Sequence, residues 1–350
     1  MSKIIHVALA AYGMSGMVFH GPLIKANPNF KLDKIFERNK NLSRREHPEA
    51  TIVHSFAEIL SDRNIDLVVV NTPDTFHYEM CKQALEAGKN VIVEKPFTQS
   101  VSEAEELIDL AKKKGLILTV FQSRRLDGDF ITIQKIIEKK SLGRLTEFES
   151  HFDRYRTYIA QNTWKETGNE KIGVLYNLGS HMIDQALVLF GMPFSVTSHL
   201  DILRDNGAVP DYYDIRLQYK KFAAILKCSY LVRNPGPRYS IHGTLGSFQK
   251  WGIDPQEEAL KNHHTPDEIN WGKEDKTQWG NIDTNINGIH ICGKVETDPG
   301  NYNLYYDNLY NVLTKGEKLL VEPEQSRYGL IIMDACIKSN KDKRTIEIKF

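Results

Sequence analysis

The 350-residue chain has few cysteines, no net charge and no long apolar run. Its four cysteines (Cys81, Cys228, Cys292 and Cys336) are scattered without a C-x-x-C spacing, which favours neither a disulfide framework nor a zinc site. The 45 basic residues balance 45 acidic ones, whereas a nucleic-acid-binding protein usually carries a basic excess. No signal peptide precedes the first apolar stretch and no apolar run is long enough to span a membrane. We therefore expect a cytoplasmic protein without nucleic-acid or membrane partners.

The first third of the chain alternates short β-branched runs with amphipathic stretches. The runs are Ile4–Ala10, Ile65–Val70, Asn90–Glu94 and Leu116–Phe121. Buried apolar strands separated by helices are typical of βαβ units and a parallel sheet. At 350 residues the chain is long enough for two domains. The pattern predicts an α/β protein whose first domain, residues 1–122, has a Rossmann dinucleotide-binding fold.

The pattern changes after Gln122. Stretches such as "RLTEFESHFDRYR", "YYDIRLQY" and "RYSIHGTLGSFQKW" alternate apolar and polar residues, which indicates strands with one buried face. Helices are predicted over Asp129–Lys140, before Gly191 and over Gln325–Lys338, while residues 261–301 show no clear pattern. We predict a second domain over residues 123–350, an α+β fold with an open, mostly antiparallel sheet that forms the face of a homodimer.

A glycine-rich loop follows the first run, in "VALAAYGMSGMVFHGP" (Val7–Pro22). Its register matches the dinucleotide fingerprint G-x-G-x-x-G with Ala11 in place of the first glycine. Gly13 would let the backbone approach a pyrophosphate, and Gly16 would let the helix pack close to the strand. Alanine is compatible with the first position if its φ stays negative. The candidate cofactor-binding residues here are Ala11, Tyr12, Gly13, Met14, Ser15 and Gly16.

Two adjacent residues at the end of the second predicted strand bear on cofactor choice. Glu37 lies about twenty residues after the loop, where an acidic group accepts the ribose hydroxyls of NAD. Arg38 could instead pair with the 2′-phosphate of NADP. Either cofactor is compatible with the sequence, and Glu37 favours NAD.

The block from Asn71 to Phe97 carries a family pattern. In order along the chain it holds a T-P-x-x-x-H segment, an A-L-x-A-G-K segment and an E-K-P triplet. With the upstream loop, this block resembles the Gfo/Idh/MocA oxidoreductases. "GMVFHGPL" (Gly16–Leu23) and "GSHMIDQALVLFGMP" (Gly179–Pro193) are similar to the subgroup that includes the NADP-dependent scyllo-inositol dehydrogenases. The resemblance adds further cofactor-binding candidates: Thr72, Pro73, His77, Glu94, Lys95 and Pro96.

The resemblance implies hydride transfer between nicotinamide and a secondary alcohol or ketone of a sugar or cyclitol. It assigns catalytic roles to Lys95 and His181, and a cis Lys95–Pro96 bond. A buried lysine can polarise an alcohol oxygen, and a histidine can relay its proton. The family aspartate position four residues before His181 holds Asn177, which can orient a hydroxyl but cannot act as a charged base. Asp184 is a candidate partner of the imidazole.

Further polar residues are expected where the two domains meet, because small ligands often bind in such clefts. The substrate candidates are Arg125, Asp153, Tyr155 and Arg156. Gly179 and Ser180 would leave space beside His181. The resemblance implies a small polyol or sugar as partner and a homo-oligomer, dimeric or tetrameric. His263 and His264 lie in a polar segment without converging ligands, so we predict no metal site.

Two other functions remain open. Ala11 and Asn177 depart from the family pattern, which is compatible with a nucleotide-binding regulator that does not turn over substrate. Redox-assisted glycoside cleavage, which the resemblance also allows, would need nicotinamide that stays bound through turnover.

Overall fold

The computed structural model describes residues 3–161, 163–167 and 171–349. Its strands are β1 (Ile5–Leu9), β2 (Phe30–Phe36), β3 (Thr51–Val53), β4 (Leu67–Val70), β5 (Asn90–Val93), β6 (Leu118–Val120), β7 (Leu145–His151), β8 (Ser195–Asp201), β9 (Tyr212–Gln218), β10 (Ala223–Ser229), β11 (Tyr239–Gly243), β12 (Gly246–Lys250), β13 (Gly280–Ile286), β14 (Ile289–Val295) and β15 (Ile346–Glu347). Its α-helices are α1 (Gly21–Ala26), α2 (Phe56–Leu60), α3 (His77–Glu86), α4 (Val101–Lys114), α5 (Gly128–Glu138), α6 (Ser180–Phe190), α7 (Gln256–Lys261), α8 (Asn303–Lys315) and α9 (Pro323–Asp342).

The chain forms two compact units. The first comprises the chain up to Asp127 together with Pro255–Gly272 and Gly300–Arg327. The second comprises Gly128–Asp254, Lys273–Pro299 and the chain from Tyr328 onward. The expected boundary after Gln122 thus lies close to the end of the first segment, but the first unit also includes two segments from the C-terminal part of the sequence.

A six-stranded parallel sheet forms the centre of the first unit, in the order β3-β2-β1-β4-β5-β6. Its central strands are apolar and buried along their length, as in β4, because helices cover both faces of such a sheet. The helix boundaries follow local signals: Ser100 and Glu103 form a capping box at the start of α4, and Gly115 ends it with a φ of +65°. The strand order is that of a Rossmann fold, as the sequence predicts.

The segment Gly300–Arg327 joins the first unit through buried aromatic side chains. Phe121, just after β6, packs edge-on against Tyr305 at 4.9 Å between ring centroids. The Tyr302 hydroxyl donates to Asp127 at 2.7 Å, and the Thr119 hydroxyl donates to the Val321 carbonyl at 2.8 Å. Burial of these rings supplies the apolar area that holds the returning segment against the sheet.

A nine-stranded sheet forms the second unit, in the order β14-β13-β12-β11-β7-β10-β9-β8-β15. All pairs are antiparallel except β7 and β10. One face is apolar, and Phe190 at the end of α6 packs there against Phe148 at 5.2 Å. This is the predicted open, mostly antiparallel sheet. β13 and β14 lie in the stretch for which the sequence shows no clear pattern.

The other face of this sheet is polar and carries ion pairs. His151 lies 2.9 Å from Glu149 and 3.0 Å from Asp153, and Lys227 lies 3.6 Å from Glu149 and 3.7 Å from Asp214. Charges of both signs therefore alternate on neighbouring strands. Within the described ranges, no helix has the length and apolarity that a membrane crossing requires.

Candidate active site

Asn71 connects the glycine loop to the end of β4. Its Oδ1 accepts a hydrogen bond from the Ala11 N–H at 2.9 Å, and its Nδ2 donates to the Ala11 carbonyl at 2.8 Å. The Ser15 hydroxyl donates to the Asn71 carbonyl at 3.4 Å. The loop is thereby held at the carboxyl ends of β1 and β4, where the strand order reverses and Rossmann folds bind dinucleotides. Ala11 is not among the described residues with a positive φ, so alanine fits this turn.

The two glycines of the loop have different environments. A Cβ at Gly16 would lie 2.8 Å from the Ala11 carbonyl oxygen and 3.0 Å from Asn71 Nδ2, which leaves no room for a side chain. A Cβ at Gly13 would meet no atom of the described chain within 4 Å. Gly16 therefore permits the loop's own packing, while Gly13 leaves open space beside the first amides of the following helix. Such amides attract phosphate.

Tyr12 and His47 are buried beneath the glycine loop and pack against each other. Their rings meet edge-on at 5.7 Å. Burial, followed by the negative charges of Glu46 and Glu37, raises the pKa of Tyr12 to about 12. A side chain at Gly21 would lie 2.7 Å from His47 Nε2. Tyr12 thus packs the loop, and only its backbone remains to face a cofactor.

Glu37 accepts hydrogen bonds from the turn that follows it. Its oxygens accept the Leu42 N–H at 2.8 Å, the Ser43 N–H at 2.9 Å and the Ser43 hydroxyl at 2.6 Å. The residue is only 6% exposed, while Arg38 is exposed. The expectation of NAD depends on a Glu37 carboxylate that is available to a ribose. In the structure, that carboxylate organises the 42–44 turn.

Three buried oxygens at the carboxyl edge of the first sheet lack a hydrogen-bond partner within the described chain. They are Thr72 Oγ1 and Asp74 Oδ1 after β4 and Gln122 Oε1 after β6. Buried polar atoms are nearly always paired in folded proteins, so these oxygens are suited to donors from a bound molecule. Asp74 and Gln122 were not singled out from the sequence, because neither belongs to a spacing pattern.

His77 and Glu94 hold the backbone on both sides of Lys95. His77 Nδ1 lies 2.8 Å from the Pro96 carbonyl and its Nε2 lies 3.0 Å from the Thr72 carbonyl. The His77 ring thus lies between the two carbonyls of Thr72 and Pro96. The Lys95 N–H donates to Glu94 Oε2 at 3.1 Å. The Lys95–Pro96 bond is cis, as expected.

Glu94 is buried and also contacts His20, whose Nε2 lies 3.2 Å from Oε1. Burial opposes the carboxylate charge. The His20 hydrogen bond and the charges of Lys95 and His77 outweigh this effect, and they hold the pKa of Glu94 below its ordinary value. Lys95 therefore follows a carboxylate that stays ionised at neutral pH.

In the second unit, a π-helical turn (Leu175–Gly179) leads into α6. Short π-helical segments are frequent at functional sites. Asn177 lies on this turn, is partly exposed, and forms a hydrogen bond with the Tyr230 hydroxyl. His181 and Asp184 follow in the first turns of α6, and both are buried. Tyr230 was not predicted as a site residue, because it lies in the turn after β10, far from Asn177 along the chain.

The small residues before His181 are packed. A Cβ at Gly179 would lie 3.0 Å from Leu175 Cδ1 and 3.4 Å from the Tyr213 ring. The Ser180 hydroxyl donates to the Tyr176 carbonyl at 2.8 Å. The expectation that these residues leave space for a substrate is wrong, since Leu175 and the Tyr213 ring of β9 occupy the space beside Gly179.

The four substrate candidates have different surroundings. Arg125 belongs to the first unit, is buried, and donates to the Leu320 carbonyl at 3.1 Å and to Gln325 at 2.7 Å. Asp153 accepts the Ser229 N–H at 2.9 Å and contacts His151. Tyr155 is exposed beneath Arg233, at 4.6 Å, and Arg156 lies over the Tyr230 ring at 5.6 Å. Arg125 and Asp153 thus have structural partners, whereas Tyr155 and Arg156 present side chains at the surface.

In the ranges described, no three His, Cys, Asp or Glu side chains converge as metal ligands would.

Curated relatives match nearly the whole chain. It is 39% identical over 348 residues to scyllo-inositol 2-dehydrogenase (NADP(+)) IolW of Bacillus subtilis strain 168, with 99% of this chain and 96% of that protein covered. It is 37% identical over 347 residues to the uncharacterized oxidoreductase YdgJ of Escherichia coli strain K12, with 99% of both chains covered.

Solved structures and family descriptions agree with these relatives. An oxidoreductase from Bacteroides fragilis has a TM-score of 0.91 at 48% identity, covering 99% of this chain and 100% of that one. The oxidoreductase yvaA of Bacillus subtilis has a TM-score of 0.96 at 37% identity, covering 100% and 99%. Residues 5–122 match "Oxidoreductase family, NAD-binding Rossmann fold" and residues 134–348 match "Oxidoreductase family, C-terminal alpha/beta domain". The chain therefore belongs to the Gfo/Idh/MocA oxidoreductase family, as an NAD(P)-binding enzyme that acts on CH–OH groups.

Proposed function

We propose that this enzyme transfers a hydride between NADP and a secondary alcohol, or the corresponding ketone, of a cyclitol or sugar. The observation that carries the proposal is Lys95, whose backbone is held by Glu94 and His77 at the carboxyl edge of the sheet that also holds the glycine loop. A lysine in that place supplies an amino group where Rossmann folds bind their ligands.

The first unit fits a dinucleotide. Gly13 leaves open space at the start of a helix, and three buried oxygens after β4 and β6 are available to donors. The bound nicotinamide supplies the hydride acceptor. We assign the phosphates to the backbone amides of residues 13–16, and further polar contacts to Thr72, Asp74 and Gln122.

We propose NADP rather than NAD because of the segment after β2. Glu37 is engaged by the 42–44 turn, whereas Arg38 is exposed, as are Lys40 and Arg44 of the same segment. A guanidinium group binds a phosphate through paired charge-assisted hydrogen bonds. The related B. subtilis enzyme is named as NADP-dependent.

Lys95 Nζ is proposed to polarise the reacting oxygen and to take its proton as the alcohol is oxidised. His181 is proposed as the group that receives or returns a proton, with Asp184 as its partner on the same helix. Asn177, already paired with the Tyr230 hydroxyl, offers both a donor and an acceptor to a polyol. Tyr155 and Arg156 remain candidates for contact with substrate. The same residues serve ketone reduction with the proton moving in the opposite direction.

The experiment is a spectrophotometric assay of nicotinamide reduction with NAD and NADP against inositols, hexoses and pentoses. We expect oxidation of at least one cyclitol or sugar with NADP, and reduction of the matching ketone with NADPH. Lys95→Ala should keep cofactor affinity and lower kcat by about 10²–10⁴-fold, the usual contribution of a positioned acid–base group.

Other results would indicate a different function. Cofactor binding without turnover of any substrate would favour the regulator. Cleavage of a glycoside with nicotinamide retained through turnover would favour the redox-assisted glycosidase.

We also propose that the polar face of the nine-stranded sheet joins two copies of the chain. Its alternating charges, such as Lys227 beside Glu149 and Asp214, provide groups that a second copy can complement. Light scattering coupled to size exclusion should give a dimer or a tetramer. A Lys227→Glu variant that keeps the wild-type mass would argue against this face.

A further inference from the structure

We infer that His20 and Tyr306 are positioning residues, which set the place of Lys95 through a hydrogen-bond chain that ends at Glu94. The inference rests on the proposed function of Lys95. Tyr306 belongs to α8, and His20 closes the π-helical turn (Gly16–His20) that follows the glycine loop. His20 lies within the stretch Gly16–Leu23 that follows the glycine loop, and Tyr306 lies 286 residues later.

The chain of contacts is continuous. The Tyr306 hydroxyl lies 2.7 Å from His20 Nδ1, and His20 Nε2 lies 3.2 Å from Glu94 Oε1. The other oxygen of Glu94 accepts the Lys95 N–H at 3.1 Å. The ionised Glu94 carboxylate only accepts, so His20 Nε2 supplies the proton of that hydrogen bond, and His20 Nδ1 and the Tyr306 hydroxyl share the next one. The hydrogen-bond chain from Tyr306 to the Lys95 N–H is therefore unbroken.

Burial makes this arrangement specific. His20 and Tyr306 are each 0% exposed, and the His20 ring lies 4.4 Å from the Phe121 ring. Water has no access to replace a missing partner, so the imidazole orientation depends on the Tyr306 hydroxyl. If the imidazole turns, Glu94 loses its donor and can swing away from the Lys95 amide.

The same hydrogen-bond chain begins close to the cofactor loop and ends at Lys95. His20 is four residues after Gly16, at the end of the turn that follows the amides of residues 13–16, which we assign to the phosphates. The hydrogen-bond chain ends at the Lys95 backbone and not at those amides, so we expect these residues to affect the reaction at Lys95 more than the affinity for cofactor.

The chain offers a matched control in Tyr305. This residue is adjacent on α8, is 2% exposed and packs against Phe121, but its hydroxyl donates to Thr119 at 3.1 Å rather than to His20. Tyr305→Phe and Tyr306→Phe each remove one buried hydroxyl, and they differ in whether the removed group leads to Lys95. A general loss of packing would affect both variants alike.

The test measures kcat, KM and the NADPH dissociation constant for wild type, Tyr306→Phe, Tyr305→Phe and His20→Leu. Tyr306→Phe should lower kcat by about twofold to tenfold, the range that follows from one net hydrogen bond. Its KM and NADPH affinity should remain unchanged, and Tyr305→Phe should match wild type. His20→Leu should lower kcat further. If His20→Leu does not fold, the comparison of Tyr306→Phe with Tyr305→Phe decides the test. Equal kcat values for the two phenylalanine variants would overturn the inference.

A second readout does not depend on turnover. Lysines are ¹³C-dimethylated, the Lys95 signal is assigned with Lys95→Arg, and its pH titration is followed by NMR. The chemical shift of the Lys95 signal should change in Tyr306→Phe and remain as in wild type in Tyr305→Phe. An unchanged chemical shift in Tyr306→Phe would overturn the positioning role. If wild type oxidises no polyol, the proposed function fails, and this titration still decides the inference.

Discussion

Asn71 and Ala11 exchange two hydrogen bonds, one in each direction, between a side-chain amide and a backbone peptide group. This pair holds the glycine loop against the end of β4. Asn71→Ala should therefore raise the NADP dissociation constant by about tenfold, as expected when two hydrogen bonds that order the loop are lost. Isothermal titration gives the dissociation constant.

Asn90 provides the control for this prediction. It also makes two hydrogen bonds to backbone groups, with Asp66 at 3.0 Å and Ile117 at 2.9 Å. Asn90 is the first residue of β5 and therefore lies at the amino edge of the sheet, away from the glycine loop. Asn90→Ala should lower the melting temperature without changing cofactor affinity. An equal loss of affinity in both variants would show that Asn71 acts through general stability.

The two loop glycines should respond in opposite ways to alanine. Gly16→Ala should lower the melting temperature, because its Cβ would overlap the Ala11 carbonyl and Asn71. Gly13→Ala should leave the melting temperature of the free protein unchanged and weaken NADP binding, because its Cβ would enter the space that we assign to phosphate. Thermal unfolding with and without NADP measures both effects. Normal NADP affinity in Gly13→Ala would place the phosphates elsewhere.

Arg38 should determine the preference for NADP. Arg38→Gln should raise the NADP dissociation constant by about tenfold or more, the loss expected for a charge-assisted hydrogen bond to phosphate, and leave NAD affinity unchanged. Arg45→Gln is the control, since Arg45 is exposed in the same segment and lies 3.6 Å from Glu46. An equal effect on both cofactors would show that Arg38 does not contact the 2′-phosphate.

His181 should matter more than Asn177. His181→Ala removes the proposed proton carrier and should lower kcat far more than Asn177→Ala. Asn177→Asp should change kcat by less than about tenfold, or roughly 1.4 kcal/mol of barrier, because a carboxylate at this position can accept from the Tyr230 hydroxyl and keep that contact. The measurement is kcat for the three variants on the best substrate. A large gain from the aspartate would show that a charged base is missing at this position.

His151 should make stability depend on pH. Burial opposes its charge, but hydrogen bonds to Asp153 and Glu149 outweigh burial and raise the pKa of His151 above 6.5. His151 therefore contributes fully to the free energy of unfolding below the pKa that it has in the unfolded chain. This contribution is lost as the pH rises through its pKa in the folded protein. His151→Gln should lower the melting temperature more at about pH 5.5 than at about pH 8.5. A difference that does not depend on pH would contradict a charged His151.

Local patterns in the sequence were sufficient to predict the parallel sheet, the glycine loop and the open, mostly antiparallel sheet. Strand and helix periodicities repeat every two to four residues, so they are visible without knowledge of the fold. The E-K-P triplet makes Lys95 a candidate through its resemblance to the family pattern, which is visible because its three residues are contiguous. These features depend on neighbours along the chain.

Contacts over long sequence separations required the tertiary structure. Tyr306 meets His20 across 286 residues, and Asn71 meets Ala11 across 60, at distances that no periodicity encodes. The segment Gly300–Arg327 joins the first unit because its tyrosines are buried there against Phe121. Glu37 stands where the sequence suggests a ribose contact, yet the course of residues 38–44 brings backbone amides to its carboxylate. An amide buried beside a carboxylate needs that acceptor, and only the folded chain determines which amide comes near.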